Sequence, residues 1–409
     1  MTRELVIETL GSRGDGVVRG EQGPIHIPFA LPGERVRANV KDGRGDILEI
    51  LEPSEERREA LCRHYGTCGG CSLQHLKSPA YLAWKREQVR GAFLSRGLDV
   101  PVEPVSPART GTRRRAVLAA RRTRTGVLLG FSRRLSHEIV DMRECPLLRG
   151  RIVDALPDLR EMLGALLTRK GRARVTVLDT GGGLDVCIED VPEVRDPDAL
   201  MALAALCERL DPARLTIAGE VLAIRRPPVL EFGGIPVVPP PCGFVQACAE
   251  AEKLLVGHVL KACRDAPRVA DLFCGSGTFA LPLALRSEVL AVEMEEDALG
   301  AIENAVRRMP GLKPVETLCC DLFREPLAAE ELNAFDAVVF DPPKAGARAQ
   351  AMELACSAVP QVIAVSCNPA TLARDIRILM DGGYALSHIS PVDQFLFSEH
   401  IEVVAVLER

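Results

Sequence analysis

Aromatic side chains are scarce in this chain, at 4% of 409 residues, with one Trp and three Tyr. That is fewer than RNA readers that stack bases on aromatic side chains often carry. No apolar run approaches the roughly 20 residues that cross a bilayer. The opening Met1-Thr-Arg-Glu-Leu5 also carries no hydrophobic signal segment. A cytoplasmic protein with no membrane partner is therefore expected. Internal repeats and low-complexity tracts are missing too, which removes solenoids and fibrous proteins. Nor is there an excess of positive charge. The formal net charge is −5, which argues against wholesale coating of nucleic acid.

What is present is more specific. A hydrophobic content of 47% over 409 residues is ample for packed cores and too long for one, so two or three domains are expected. The 14 cysteines, in a long chain without a secretion signal, point to metal binding or catalysis rather than to disulfides. Cys62, Cys68 and Cys71 cluster tightly, and most of the others lie scattered in apolar segments. Residues 101–150 hold 11 arginines against 4 acids, with Arg113, Arg114 and Arg115 consecutive. An arginine-rich surface on an acidic protein fits phosphate contacts confined to one face.

Residues 1–55 alternate short apolar runs with glycine turns, the pattern of a small β-barrel. Residues 56–240 mix strands and helices in a central α+β domain that carries the cysteine cluster. Helices are expected over 79–96, 151–167 and 197–210, with strands at 116–120, 127–131, 138–141, 174–178 and 184–189. The proline run Pro239-Pro-Pro241 marks a boundary. From 241 to 409 helix and strand alternate, which predicts an α/β, doubly wound, Rossmann-like sheet with an antiparallel carboxy-terminal edge.

Two strand ends of that sheet carry chemistry. Val362-Ile-Ala-Val-Ser-Cys-Asn-Pro369 delivers Cys367 from an apolar run to a helix start, where open α/β sheets expose reactive groups. Phe335-Asp-Ala-Val-Val-Phe-Asp-Pro-Pro-Lys344 ends a second strand on Asp341. Together they suggest covalent catalysis on a flat polar ring, with Cys367 as nucleophile. Arg268-Val-Ala-Asp-Leu-Phe-Cys-Gly-Ser-Gly-Thr-Phe-Ala280 is a strand, a glycine turn and a helix start, followed by an acidic strand end at Glu293. Gly275-x-Gly277-x-x-Ala280 also satisfies the dinucleotide fingerprint, so an NAD-dependent oxidoreductase competes with a S-adenosylmethionine enzyme. Asp271 within the turn and the later Asp-Pro-Pro favour the second.

These motifs resemble those of the bacterial RNA 5-methyluridine methyltransferases, specifically the iron–sulfur 23S rRNA type with an amino-terminal TRAM domain. The resemblance runs through Ala30-Leu-Pro-Gly-Glu34, Cys62-x5-Cys68-Gly-Gly-Cys71-Ser-Leu-Gln74, Arg143-Glu-Cys145-Pro, Gly243-Phe-Val-Gln246, the Asp271 and Asp341 motifs, Ser366-Cys-Asn-Pro369 and His400-Ile-Glu402. It implies a TRAM-like RNA-binding barrel over 1–55 and a class I S-adenosylmethionine-dependent methyltransferase domain over 241–409. It further implies that Cys367 adds to C6 of uracil and that Glu402 removes the C5 proton. Gln246, Phe273, Thr278, Glu293, Asp321 and Asp341 align with positions that contact cofactor or the base edge.

Zinc or an iron–sulfur cluster would satisfy four thiolates equally. The resemblance implies a [4Fe-4S] cluster on Cys62, Cys68, Cys71 and Cys145. RNA is the implied partner, 23S rRNA ahead of tRNA, because tRNA-modifying relatives generally lack both cluster and barrel. A monomer without an obligate protein partner is expected. The family pattern is broken at Cys248, where asparagine is usual, and at Leu396-Phe-Ser398, where Pro-x-Thr is usual. These departures leave a non-catalytic iron–sulfur RNA-binding protein as the alternative.

Overall fold

The computed structural model describes residues 1–409 apart from Gln22 and Arg195. Near the amino terminus, strands Thr2–Val6, Thr9–Leu10, Gly16–Gly20, Gly23–Ile27, Arg35–Lys41 and Arg44–Glu52 form one sheet. Thr2–Val6 pairs with Arg35–Lys41, and Thr9–Leu10 pairs with Gly16–Gly20. These two short strands are successive pieces of one stretch, so the ends of the sheet meet. It closes on a core of Ile7, Val18, Ile25, Ile27, Val36 and Ala38. Gly16 faces that core. A Cβ there would lie 2.9 Å from Ala30 Cβ and Ile7 Cγ2, so nothing larger fits without displacing the wall.

The second sheet takes the order Glu220–Ile224, Arg214–Ile217, Gly183–Glu189, Arg172–Thr180, Arg115–Arg122, Val127–Gly130. Helices Leu156–Leu166 and Pro197–Leu210 pack on it through Leu159, Leu163 and Leu203. The sequence reading requires three corrections here. The helix expected over 151–167 is two, Gly150–Asp154 and Leu156–Leu166. Pro157 opens the second, lacking the N–H that would continue the first. The strand expected at 138–141 does not form. Ile139 makes only an isolated bridge to Ser132, and Asp141 is held by Arg160 and Arg143. Cys187 is not a free thiol but pairs with Cys242 in a disulfide, joining this sheet to the segment that leads into the third sheet.

Residues 113–115 are also not the exposed basic run their composition suggests. Arg114 is buried against Glu252 and Arg113 is half-buried.

The third sheet contains β1 (Arg268–Leu272), β2 (Glu288–Glu293), β3 (Val315–Cys319), β4 (Ala337–Phe340), β5 (Gln361–Ser366), β6 (Ala385–Val392) and β7 (Glu402–Glu408). Their order is β3-β2-β1-β4-β5-β7-β6. The first five strands run parallel. β7 is antiparallel to both β5 and β6, so the antiparallel strand lies one place in from the edge instead of at it. Both faces are covered, which explains the continuous apolar runs: Val269 and Val339 enter one core, while Ala270 and Val338 enter the other. Helix Ser78–Leu94 belongs by sequence to the middle of the chain. It packs all the same against helix Pro369–Asp381, which covers this third sheet, through Val89 and Phe93 beside Leu372 and Ile376. Among the described residues no helix is long and apolar enough to cross a membrane.

Candidate active site

Asp341 and Cys367 are each the first residue beyond a strand, and those strands, β4 and β5, are parallel neighbours. They therefore emerge side by side at the carboxyl edge of the sheet. β7 runs the other way, so its beginning reaches the same edge. Ser366 pairs with Val403, which sets Glu402 beside Cys367. Asn368 ties the two loops together. Its Oδ1 accepts from the Ala370 amide at 3.1 Å and its Nδ2 donates to the Lys344 carbonyl at 3.0 Å.

A buried relay of amides links the carboxylates. Gln246 Nε2 donates to Asp341 Oδ2 at 3.2 Å. Gln394 Nε2 donates to Gln246 Oε1 at 2.7 Å and to Glu402 Oε1 at 3.2 Å. Gln246 is held from behind by Arg114, whose Nε donates to its carbonyl at 3.1 Å. Glu402 Oε2 and Gln394 Oε1 are buried without a partner. Cys248, one of the two departures from the family pattern, makes its side-chain contact with Thr112. It precedes helix Ala249–Ala262, and its thiol lies 3.3 Å from Thr112 Oγ1.

Burial drives the electrostatics. It raises the pKa of Glu402 well above the ordinary carboxyl value, with Asp341 adding to the rise and the Gln394 hydrogen bond opposing it. Burial likewise pushes Asp341 up to about 7. The Cys367 thiol is pushed up to about 11 by burial, then by Glu402 and Asp341, with Lys344 pulling the other way. The Cys367 thiol of the free site thus keeps its proton at neutral pH. Alkylation of Cys367 by iodoacetamide is expected to accelerate about tenfold per pH unit from pH 7 towards that value. In Glu402→Gln the profile should move to lower pH, because one source of negative charge is gone. Superimposable profiles would show that Glu402 does not face the thiol.

On the neighbouring strand β1, Asp271 is fully buried, and among the described residues neither carboxylate oxygen has a hydrogen-bonded side-chain partner. Burial, Asp341 and Glu293 all raise its pKa, and the Ala280 amide opposes them. A carboxyl so placed calls for a cationic partner. Gly275 and Gly277 have φ of 53° and 93°, which folds the turn tightly over it. Glu293 Oε2 accepts from the Gly275 amide at 3.0 Å. Phe273 packs on Phe323 with ring centres 5.4 Å apart, and Asp321 Oδ1 accepts from the Phe323 amide at 3.0 Å. Thr278 lies half-buried in the same turn.

Cys62, Cys68, Cys71 and Cys145 all line one cavity of about 290 Å³. Its wall also includes Phe395, Ser398, Glu399 and His400, from the loop that leads into β7. Among the described residues, no three of the four sulfurs lie within 4.8 Å of one another. A tetrahedral zinc with Zn–S bonds of about 2.3 Å would need them within about 4 Å. Cys187, Glu189 and Cys242 do bring ligand atoms that close, but there the two sulfurs are bonded to each other.

Comparison with known proteins fits this geometry. The tRNA (uracil-5-)-methyltransferase family model matches residues 326–409. An uncharacterized RNA methyltransferase of Agrobacterium fabrum is 48% identical over 415 residues, covering 100% of both chains. The 23S rRNA (uracil(1939)-C(5))-methyltransferase of Halomonas elongata is 33% identical, with 100% of this chain and 89% of that protein covered. The chain belongs to the RNA uracil-5 methyltransferase family. The crystal structure of Pyrococcus abyssi tRNA (uracil-54, C5)-methyltransferase in complex with S-adenosyl-L-homocysteine shares the methyltransferase fold. Its TM-score is 0.76 at 24% identity, over 99% of each chain. For an RNA methyltransferase, the dinucleotide reading of Gly275-x-Gly277-x-x-Ala280 falls away, and with it the oxidoreductase.

Several residues of the methyltransferase site were not anticipated from sequence. Gln394 had no signal beyond its closeness to His400-Ile-Glu402. Arg114 read as part of a surface run. Lys85 carried no sequence signal, yet it is fully buried.

Proposed function

We propose that this methyltransferase methylates C5 of a uridine in 23S rRNA through a covalent Cys367 adduct, with Glu402 as the base. The observation that carries the reading is the convergence of a thiol and a buried carboxyl at one sheet edge, beside Asp341 and Gln246. S-adenosylmethionine, when bound, supplies the electrophilic methyl group. The residues that would hold it are Asp271, Phe273, Thr278, Glu293 and Asp321, and the orphaned Asp271 carboxyl suits its cationic amino-acid part. Uracil C5 is a poor nucleophile. The Cys367 thiol gives up its proton to solvent, and addition of the resulting thiolate to C6 moves the ring electrons onto C5 and activates it. Once C5 is methylated, Glu402 takes the C5 proton. The electrons of that C–H bond form the C5–C6 double bond, and the C6–S bond breaks to return the thiolate. Asp341 and Gln246 present an acceptor and an amide to the polar edge of the ring.

Four thiols lining one cavity support a [4Fe-4S] cluster on Cys62, Cys68, Cys71 and Cys145. When bound, the cluster supplies a cross-link between the 62–71 segment and Cys145. Cys71→Ser is expected to lose bound iron and the visible absorption of the purified protein. Zinc without iron or sulfide in the wild type would contradict the assignment. RNA contact is supported by a groove flanked by Arg121, Arg133, Arg172 and Arg174, and by exposed Phe244 with Arg115 5.5 Å from its ring centre. The preference for 23S rRNA follows the substrate named for the Halomonas relative. Mass mapping of 5-methyluridine in rRNA and tRNA, from cells with and without the gene, tests it. Loss of one methyl in 23S rRNA is expected. A loss confined to tRNA would keep the chemistry and move the substrate. No loss in either RNA would favour a non-catalytic RNA-binding protein.

A further inference from the structure

We propose that Lys85 is a positioning residue for the proton-abstraction step, acting through the loop that aims Glu402. This inference rests on Glu402 being the base. Between β6 and β7 the chain makes a turn, residues 393–401, with Phe397 in the left-handed region at φ 62°. The family's usual proline is Leu396 here, so the turn lacks that local stiffening. Helix Ser78–Leu94 supplies an external one. Lys85 is fully buried, and its ammonium donates to Asp393 Oδ1, to the Phe395 carbonyl at 3.1 Å and to the His400 carbonyl at 2.7 Å. Its three protons therefore span the loop from its first residue to two residues before Glu402.

Tyr81, one helical turn earlier on the same face, accepts from the Phe397 amide at 2.8 Å. Ser72 and Leu73, directly after Cys71, donate their amides to the Phe397 carbonyl at 2.8 and 3.0 Å. The loop is thus gripped on both sides by the 71–85 segment. Gln394, between two of the anchored residues, donates to Glu402 itself. Addition of Cys367 to C6 and methylation of C5 do not require the base. Its placement matters only when the C5 proton must leave, and an error of about 1 Å there costs on the order of 100-fold.

The test uses unmodified substrate RNA with S-adenosylmethionine labelled in its methyl group. Lys85→Met leaves Asp393 buried and unpaired, so a Lys85→Met/Asp393→Leu variant, which removes both charges, is made beside it. Both are expected to lower kcat at least tenfold with little change in KM for RNA. Both should also accumulate a denaturation-resistant, methyl-labelled RNA–protein adduct that is absent from the wild type. A folded double variant that turns over at the wild-type rate, or one slowed without labelled adduct, would overturn the proposal. If Glu402→Gln itself fails to accumulate the adduct, the base assignment is what fails.

Discussion

Cys367→Ala is expected to lower methyl transfer to RNA by more than about 10⁴-fold and to abolish every covalent RNA–protein species. The effect should be this large because the residue supplies the only activation C5 receives. Without addition at C6, the ring electrons have no reason to concentrate on C5, and positioning alone does not replace them. RNA affinity should hardly change, because the thiol is half-buried at the sheet edge, apart from the Arg172 and Arg174 groove. Filter binding alongside single-turnover methylation separates the two. Residual turnover within tenfold of wild type would mean that C5 attacks directly or that another group adds to C6.

Glu402→Gln has the next largest expected effect and the more informative form. Addition and methylation go on, but the proton at C5 stays and the thiolate cannot leave. Turnover should fall by about 10²- to 10⁴-fold, while labelled methyl accumulates on protein-bound RNA in an amount approaching one per enzyme. A stability measurement guards against unfolding as the explanation. Burial raises the folded-state pKa of Glu402 above its ordinary 4.5, so the stability linked to its proton is complete below pH 4.5 and is lost as pH climbs. The glutamine variant has no such loss. Its melting temperature should therefore overtake that of the wild type with rising pH. A variant that melts lower throughout, with no adduct, would remove Glu402 from the mechanism.

What the sequence revealed of this site, and what it hid, follow from the range of the interactions. Cys367 and Asp341 were legible because each ends an apolar run that is its own strand, and parallel neighbours put both ends at one edge. Glu402 was not legible from local pattern. Its place beside Cys367 depends on β7 inserting antiparallel between β5 and β6, a pairing over more than 30 residues, and only the family motif pointed to it. Lys85 illustrates the opposite failure. A lysine on a helix of mixed composition reads as solvated, and its three acceptors lie more than 300 residues away.

The Cys187–Cys242 disulfide spans 55 residues and left no spacing to read, whereas Cys62, Cys68 and Cys71 announced themselves by proximity. The broken helix at Pro157 was a missed signal rather than a hidden one, since proline opening a first turn is a boundary written in the sequence.

The most direct measurement of the central claim is peptide mapping of the adduct formed with 5-fluorouridine-substituted RNA in the presence of S-adenosylmethionine. Fluorine at C5 cannot leave as a proton, so the reaction halts at the methylated adduct. The account predicts one modified peptide, carrying nucleotide and methyl together, with the bond on Cys367. An adduct on any other residue, or complete conversion without one, would contradict it.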